Sequence, residues 1–113
     1  MPWFKRKEKK PAEWRDVGAE SEFESTDRKL VDLEDGEQVG VFKVDGAWYA
    51  MSMWCSHQKT TMIHGDRNGC ELECPLHGSR FDLRTGRPLD LPATRPVKTY
   101  PVRVEDGRVK IEA

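Results

Sequence analysis

The sequence has no long apolar run, few cysteines and almost no excess of charge. Nowhere in its 113 residues does a hydrophobic stretch approach the length that crosses a bilayer as a helix. The head, where Lys5-Arg6-Lys7-Glu8-Lys9-Lys10 runs into Pro11, also lacks the apolar segment of a secretory signal. Three cysteines, an odd number, do not make the disulfide framework of a small secreted domain, and unbridged thiols suit a reducing compartment. Together these absences make the cytoplasm the expected location. A net charge of −1 removes the bulk electrostatic case for nucleic acid. No segment sustains a 3.6-residue apolar period, so long amphipathic helices are not expected.

The length is that of one domain, burying roughly two-thirds of its unfolded surface around a modest core. Charge is unevenly placed along it. Residues 1–10 hold five basic side chains and one acidic one, a local +4 that leaves −5 for the remainder. Residues 1–12 therefore read as a basic, flexible tail and residues 13–113 as the folded domain. The simple reading of the head is a solvated tail. The alternative is a membrane-surface contact through residues 1–10, with Trp3 and Phe4 at the headgroups and the lysines facing anionic lipid.

From Trp14 onward the signals are for strands. Trp14-Arg15-Asp16-Val17 alternates apolar and polar residues, whereas Ser21 to Asp27 is polar and reads as a loop. Leu30–Leu33 and Val39–Val44 read as strands separated by Asp35-Gly36. Asp45-Gly46, Asn68-Gly69, Thr85-Gly86 and Asp106-Gly107 each sit between strand-like runs. Asn-Gly and Asp-Gly tolerate the positive φ that tight hairpins require, while Thr-Gly is a weaker signal. A mostly antiparallel β domain follows. Ala47 to Met53 is then a strand delivering Cys55, and Cys70 to Glu73 a strand delivering Cys74.

Those two cysteines belong to paired boxes. Cys55-Ser56-His57 and, after sixteen intervening residues, Cys74-Pro75-Leu76-His77-Gly78 each place a thiol and an imidazole close together. Two thiolates and two imidazoles form a four-ligand set. Zinc accepts both ligand types, but usually with its cysteines paired in one half and its histidines in the other. Here the halves are mixed, and Cys-x-His is short for one tetrahedral ion. A cluster held by cysteine alone needs four thiolates, and the chain has only Cys55, Cys70 and Cys74. A two-iron, two-sulfur cluster on two cysteines and two histidines needs only what the boxes supply.

The order Cys-x-His, Cys-x-x-His-Gly resembles the Rieske pattern. The run Cys74-Pro75-Leu76-His77-Gly78-Ser79-Arg80-Phe81-Asp82 is close to how small Rieske ferredoxins of oxygenase systems read. Val44–Met51 resembles that family's hairpin into the first box, and Leu91–Val102 its proline-rich loop and last strands, so the likeness spans roughly residues 13–113. It implies an all-β fold, a Rieske-type antiparallel β-sandwich with a small cluster-binding subdomain of two hairpin loops over about residues 53–83. It implies one [2Fe-2S] cluster, with Cys55 and Cys74 on one iron and His57 and His77 on the other, nearer to solvent. A carrier of single electrons follows, not an enzyme on its own. Its donor would be a reductase and its acceptor a terminal oxygenase of a ring-hydroxylating or other multicomponent system. No nucleotide-binding glycine loop, substrate-pocket motif or mononuclear iron triad argues otherwise. Two alternatives stay open: the non-catalytic small subunit of a nitrite reductase-type enzyme, and a structural zinc-binding interaction module.

Replacing two anionic thiolates by neutral imidazoles leaves a cluster less negative and raises its reduction potential over all-cysteine clusters. The resemblance also implies exposed histidine edges at the docking point, whose deprotonation lowers the potential at alkaline pH. Respiratory members carry an extra disulfide between the cluster loops. Here Leu76 stands at one of those positions, and Gln58-Lys59-Thr60-Thr61-Met62 offers no cysteine for the other. High-potential members donate hydrogen bonds from a serine and a tyrosine; Ser79 matches the first, and Phe81 replaces the second. A low-potential ferredoxin, shifted up a little by Ser79, is expected. After His57 the chain reads Gln58-Lys59-Thr60-Thr61-Met62-Ile63-His64-Gly65-Asp66, where oxygenase ferredoxins commonly continue with glycine, alanine and proline or leucine, which marks an unusual partner-facing surface.

The remaining residues have plain readings beside functional ones. Cys70 is expected as an inert strand thiol and His64 as an exposed loop histidine. Phe42, Trp48 and Tyr49 are core candidates. Trp54 is either core packing or an aromatic on the docking face. Lys59, Arg67 and Arg80 either meet an acidic partner or stay solvated. Pro92 and Pro96 either shield the cluster or stiffen a connection.

Overall fold

The chain folds into short antiparallel strands, seen in a computed structural model that describes residues 13–55, 60–76, 78–91 and 93–113. In order they are β1 Trp14–Ala19, β2 Arg28–Asp32, β3 Gln38–Val44, β4 Ala47–Ser52, β5 Arg67–Asn68, β6 Glu71–Glu73, β7 Arg80–Asp82, β8 Thr99–Tyr100, β9 Val102–Glu105 and β10 Arg108–Glu112. They form three sheets, ordered β1-β10-β9, β2-β3-β4-β8 and β5-β6-β7. The first closes the ends of the described domain on each other, Trp14 lying opposite Glu112.

Successive side chains on a strand point to opposite faces, and both faces of the four-stranded sheet are covered. On β3, Val39 and Val41 pack into one core, shared with Val109 and Ile111 of β10, Tyr100 of β8 and Ala50 of β4. The alternate residues Phe42 and Val44, with Met51 and then Met53, pack into a second core with Leu72, Phe81 and Leu83. The four-stranded sheet is therefore a middle layer. The β1-β10-β9 sheet completes a sandwich on one side, and β5-β6-β7 with its loops covers the other. This is the all-β sandwich with an added subdomain that the resemblance implied.

Tight turns drive the meander. Asp45 and Gly46 have φ of 49° and 83°, and Asp106 and Gly107 have 52° and 75°, so both pairs close two-residue hairpins with two positive φ angles. The third hairpin differs from expectation by one residue. Asn68 pairs with Glu71 inside the ladder, so Gly69 and Cys70 form the turn and Cys70 is not a strand residue. At Thr85-Gly86 the chain turns back after β7, with the Gly86 amide donating to the Asp82 carbonyl at 2.7 Å.

The stretch read as a polar loop from Ser21 holds a short 3-10 turn, Glu20–Phe23. Its acidic residues face solvent, but Phe23 is buried and meets Trp48 edge-on, with ring centroids 4.8 Å apart. One aromatic in a polar run carries too little periodicity to announce itself. Of the core candidates, Phe42 is fully buried, while Trp48 and Tyr49 are half-buried against separate cores. The basic tail, with its solvated and membrane-surface readings, lies outside the described residues, as do Pro92 and Lys59.

Candidate metal centre

Cys55 is delivered by the end of β4, where the chain folds back on itself. The Met62 amide donates to the Met53 carbonyl at 2.7 Å, Trp54 bridges Thr61, and the Cys55 amide donates to the Thr60 carbonyl at 3.0 Å. Cys74 follows β6 in the same manner. Its amide donates to the Ser79 carbonyl at 2.7 Å, its own carbonyl accepts from the Gly78 amide at 2.8 Å, and Gly78 turns the chain with φ of 77°. Pro75 and Leu76 begin the second turn. The backbone amides of Cys55, Cys74 and Gly78 are thus committed within their loops rather than turned toward sulfur.

The two loops touch. Gly65 lies so close to the chain before Cys74 that an added Cβ would sit 1.8 Å from the Glu73 carbonyl oxygen. Beside that contact the Glu73 amide donates to the Asp66 carbonyl at 2.9 Å. Only glycine allows this approach. Both cysteines then fall into one buried core, with Met53, Met62, Ile63, Leu72, Phe81 and Leu83 around them. Cys55 is 4% exposed and Cys74 fully buried, and no disulfide joins any of the three cysteines.

His57 and His77 lie outside the described residues. Among the described residues, no three His, Cys, Asp or Glu side chains gather as a metal site. Cys70 packs at the edge of the same core and meets the Tyr49 hydroxyl. His64 is exposed, as expected. Trp54 fits neither of its readings alone, because it is half-buried and its indole N–H donates to the Gly36 carbonyl at 3.2 Å.

Ser79 is fully buried, and its hydroxyl oxygen accepts from the Ala93 amide at 3.2 Å. Accepting that bond leaves the hydroxyl proton able to donate elsewhere. The contact also pins the proline-rich loop against the second box. Phe81 is fully buried in the core and has no hydroxyl to offer. Leu76, Leu89 and Leu91 are 58, 44 and 79% exposed.

The basic residues near the loops are already paired. Arg80 donates to Asp90 at 2.6 and 2.9 Å and to Glu71 at 2.8 Å. Arg67 donates to Asp27 at 2.6 Å and to the Gly69 carbonyl at 2.7 Å. Each is thus ion-paired within the chain, Arg80 with 46% of its side chain still exposed. The sequence reading passed over Asp27 and Arg28. Arg28 donates to the carbonyls of Ile63 and Gly65 at 2.8 and 2.7 Å, grips Asp27 at 2.8 and 3.1 Å, and covers the Phe42 ring at 5.0 Å. The hydrogen bond from Arg28 is the largest influence holding the Asp27 carboxyl down at about 2; burial opposes it and Arg67 adds to it.

A sandwich bearing two interlocked loops, each rooted on a buried thiol, defines a β-type metal-cluster carrier. Comparison with known families makes this specific: the family described as Rieske [2Fe-2S] domain matches residues 13–101, and the chain belongs to it. The ferredoxin component of the naphthalene 1,2-dioxygenase system of Pseudomonas aeruginosa is 41% identical, covering 88% of this chain and 94% of that one. Among solved structures, a complex of reduced oxygenase and oxidized ferredoxin in carbazole 1,9a-dioxygenase contains a chain that superposes with TM-score 0.82. That chain is 29% identical, and the match covers 88% of this chain and 92% of the other. A Mycobacterium tuberculosis chain described as an NADH-dependent nitrite reductase small subunit reaches TM-score 0.76 at 28% identity, covering 90% and 96%.

The family's group is one [2Fe-2S] cluster, and the donor chemistry seen here fits it. A bound metal deprotonates a thiol outright and takes it as a thiolate ligand. Two such thiols in one core, without a disulfide, suit a soft metal centre.

Proposed function

We propose that the chain is a Rieske-type ferredoxin in which Cys55 and Cys74 ligate one iron of the cluster and His57 and His77 the other. It would take single electrons from a reductase and pass them to a terminal oxygenase, acting in the cytoplasm without catalysing a reaction of its own. The observation that carries this is the burial of both cysteines in one core at the roots of two touching loops. The cluster supplies the one-electron couple; the protein supplies a stiff frame. Cys55 and Cys74 sit where the middle sheet and β6 end, so backbone ladders set their positions. The partner assignment is supported by the naphthalene relative, itself named as the ferredoxin component of a dioxygenase system. No helix among the described residues is long and apolar enough to cross a membrane.

Iron and acid-labile sulfide analysis, with the electron paramagnetic resonance spectrum of the dithionite-reduced protein, tests the ligand set. Mixed sulfur–nitrogen ligation gives a low average g value. A colourless protein that binds zinc but no iron would remove the proposal. The nitrite reductase small-subunit reading has its own support in the Mycobacterium tuberculosis likeness. Stable co-purification with a large flavo- or haem-protein would favour it, whereas a transient complex with an oxygenase favours the ferredoxin.

A further inference from the structure

We infer that Arg28 is a positioning residue for the cluster: it clasps the first ligand loop against the sheet and thereby holds the gap between the two loops. This rests on the cluster reading above, but its observations are separate. One guanidinium meets three unlike groups. Its Nη1 donates to the Ile63 and Gly65 carbonyls, its Nε and Nη2 grip Asp27, and its plane covers Phe42 of β3.

The two carbonyls lie in the returning limb of the first loop, immediately before the point where Gly65 touches Glu73. Arg28 therefore fastens loop one at its contact with loop two. Phe42 belongs to the middle sheet, so the clasp is seated on the most buried strand of the domain. Asp27 cannot swing away, because Arg67 of β5 donates at 2.6 Å to its Oδ2, which Arg28 Nη2 also reaches, and its carbonyl accepts from the Lys43 amide at 2.9 Å.

The chemistry requires arginine. A planar fork serves two acceptors and a carboxylate at once while stacking on a ring; an ammonium makes point contacts and cannot span them. The Arg28 side chain is only 19% exposed, so the bonds act where solvent screens little. Loosening this clasp frees residues 61–66 to part from Glu73 while leaving the sandwich sheets paired. The expected result is local opening at the cluster and not global unfolding.

The test compares the holoprotein with Arg28→Met, Arg28→Lys and Arg108→Met. The last breaks the Arg108–Asp16 pair at 2.8 Å on the opposite sheet, as a control for losing any ion pair. Visible absorbance follows cluster loss to bathophenanthroline. Amide exchange follows residues 61–66, and the resonance of the reduced protein reports the geometry at the irons. In Arg28→Met, cluster loss should accelerate by about tenfold or more, residues 61–66 should exchange faster, and the resonance lines should broaden. Arg28→Lys should show the same changes in weaker form, and it carries the test if the methionine variant does not fold. Loss rates and line shapes equal to wild type, or an equal acceleration in Arg108→Met, would overturn the inference. Wild-type protein without iron would refute the ferredoxin proposal instead. Amide exchange at residues 61–66 in the Arg28 variants would then decide the clasp alone, with unchanged protection refuting it.

Discussion

Replacing Gly65 by alanine should damage this protein far more than its single added methyl suggests. The new Cβ would lie 1.8 Å from the Glu73 carbonyl oxygen and 3.0 Å from its carbon. Both are backbone atoms, so no side chain can turn aside. To restore ordinary contact the loops must part by more than an ångström. That motion breaks the Glu73–Asp66 backbone bond and pulls the Gly65 carbonyl from Arg28. The first bond contributes about 1 kcal/mol and the second, to a charged donor, about 2. Strain in a packed core adds roughly 1–2 more. The total, about 4–5 kcal/mol, is a large share of the roughly 5–15 kcal/mol that holds a domain together. Gly69→Ala is the matched control. Nothing lies within 4 Å of its added Cβ, but φ of 62° makes alanine unfavourable by about 1–2 kcal/mol. Thermal unfolding by circular dichroism should show a midpoint fall of about 15 °C or more for Gly65→Ala, against about 5–10 °C for Gly69→Ala. The iron content of the first variant should also drop. If Gly65→Ala falls no further than Gly69→Ala, the loops do not meet as described and the shared cysteine core loses its basis.

Ser79→Ala removes a fully buried polar side chain beside the second box. If its proton is donated to the cluster, the reduction potential falls by about 40 mV, the equivalent of roughly 1 kcal/mol for one electron; cyclic voltammetry showing no downward shift excludes that role. Asp27 has its carboxyl lowered from 3.8 to about 2 by its arginine partners, so its contribution is fully present above pH 4 and disappears as pH falls through 2. It amounts to about 2 kcal/mol, and Asp27→Asn should flatten the difference in stability between pH 4 and pH 2, as read from urea midpoints. Leu91→Asp alters a side chain that is 79% exposed. Its thermal midpoint should stay within about 3 °C of wild type, while electron transfer to the cognate oxygenase weakens through a higher KM. An unchanged KM would place the docking surface elsewhere.

Much of the frame was legible because short-range chemistry wrote it. Asp45-Gly46 and Asp106-Gly107 are hairpin turns by conformational preference alone, and both have the positive φ angles expected. The exclusion of an all-cysteine cluster needed only a count. The shift at Gly69-Cys70 was not legible, since Asn-Gly signals a turn nearby while cross-strand pairing settles the register. Phe23 was missed because it packs on Trp48 of β4, 25 residues further along the chain. Arg28 was missed for a deeper reason. Two of its acceptors are main-chain carbonyls 35 and 37 residues away, and a carbonyl has no residue type to search for.

The same arrangement bears on the choice between a cluster and zinc. A structural zinc ion often organises the small domain that binds it, with folding following the metal. Here Cys55 and Cys74 sit among fully buried side chains that already close a core: Met53 and Met62 from the first loop, Leu72 and Phe81 from the small sheet. Loop contact is secured separately, by Gly65 against Glu73 and by Arg28 on the carbonyls. These contacts belong to the chain itself and make a frame held by packing and hydrogen bonds. Such a frame suits a centre whose ligands must keep their places while charge comes and goes. If chelator-stripped protein unfolded completely and refolded only on metal addition, that distinction would fail, and zinc would regain its claim.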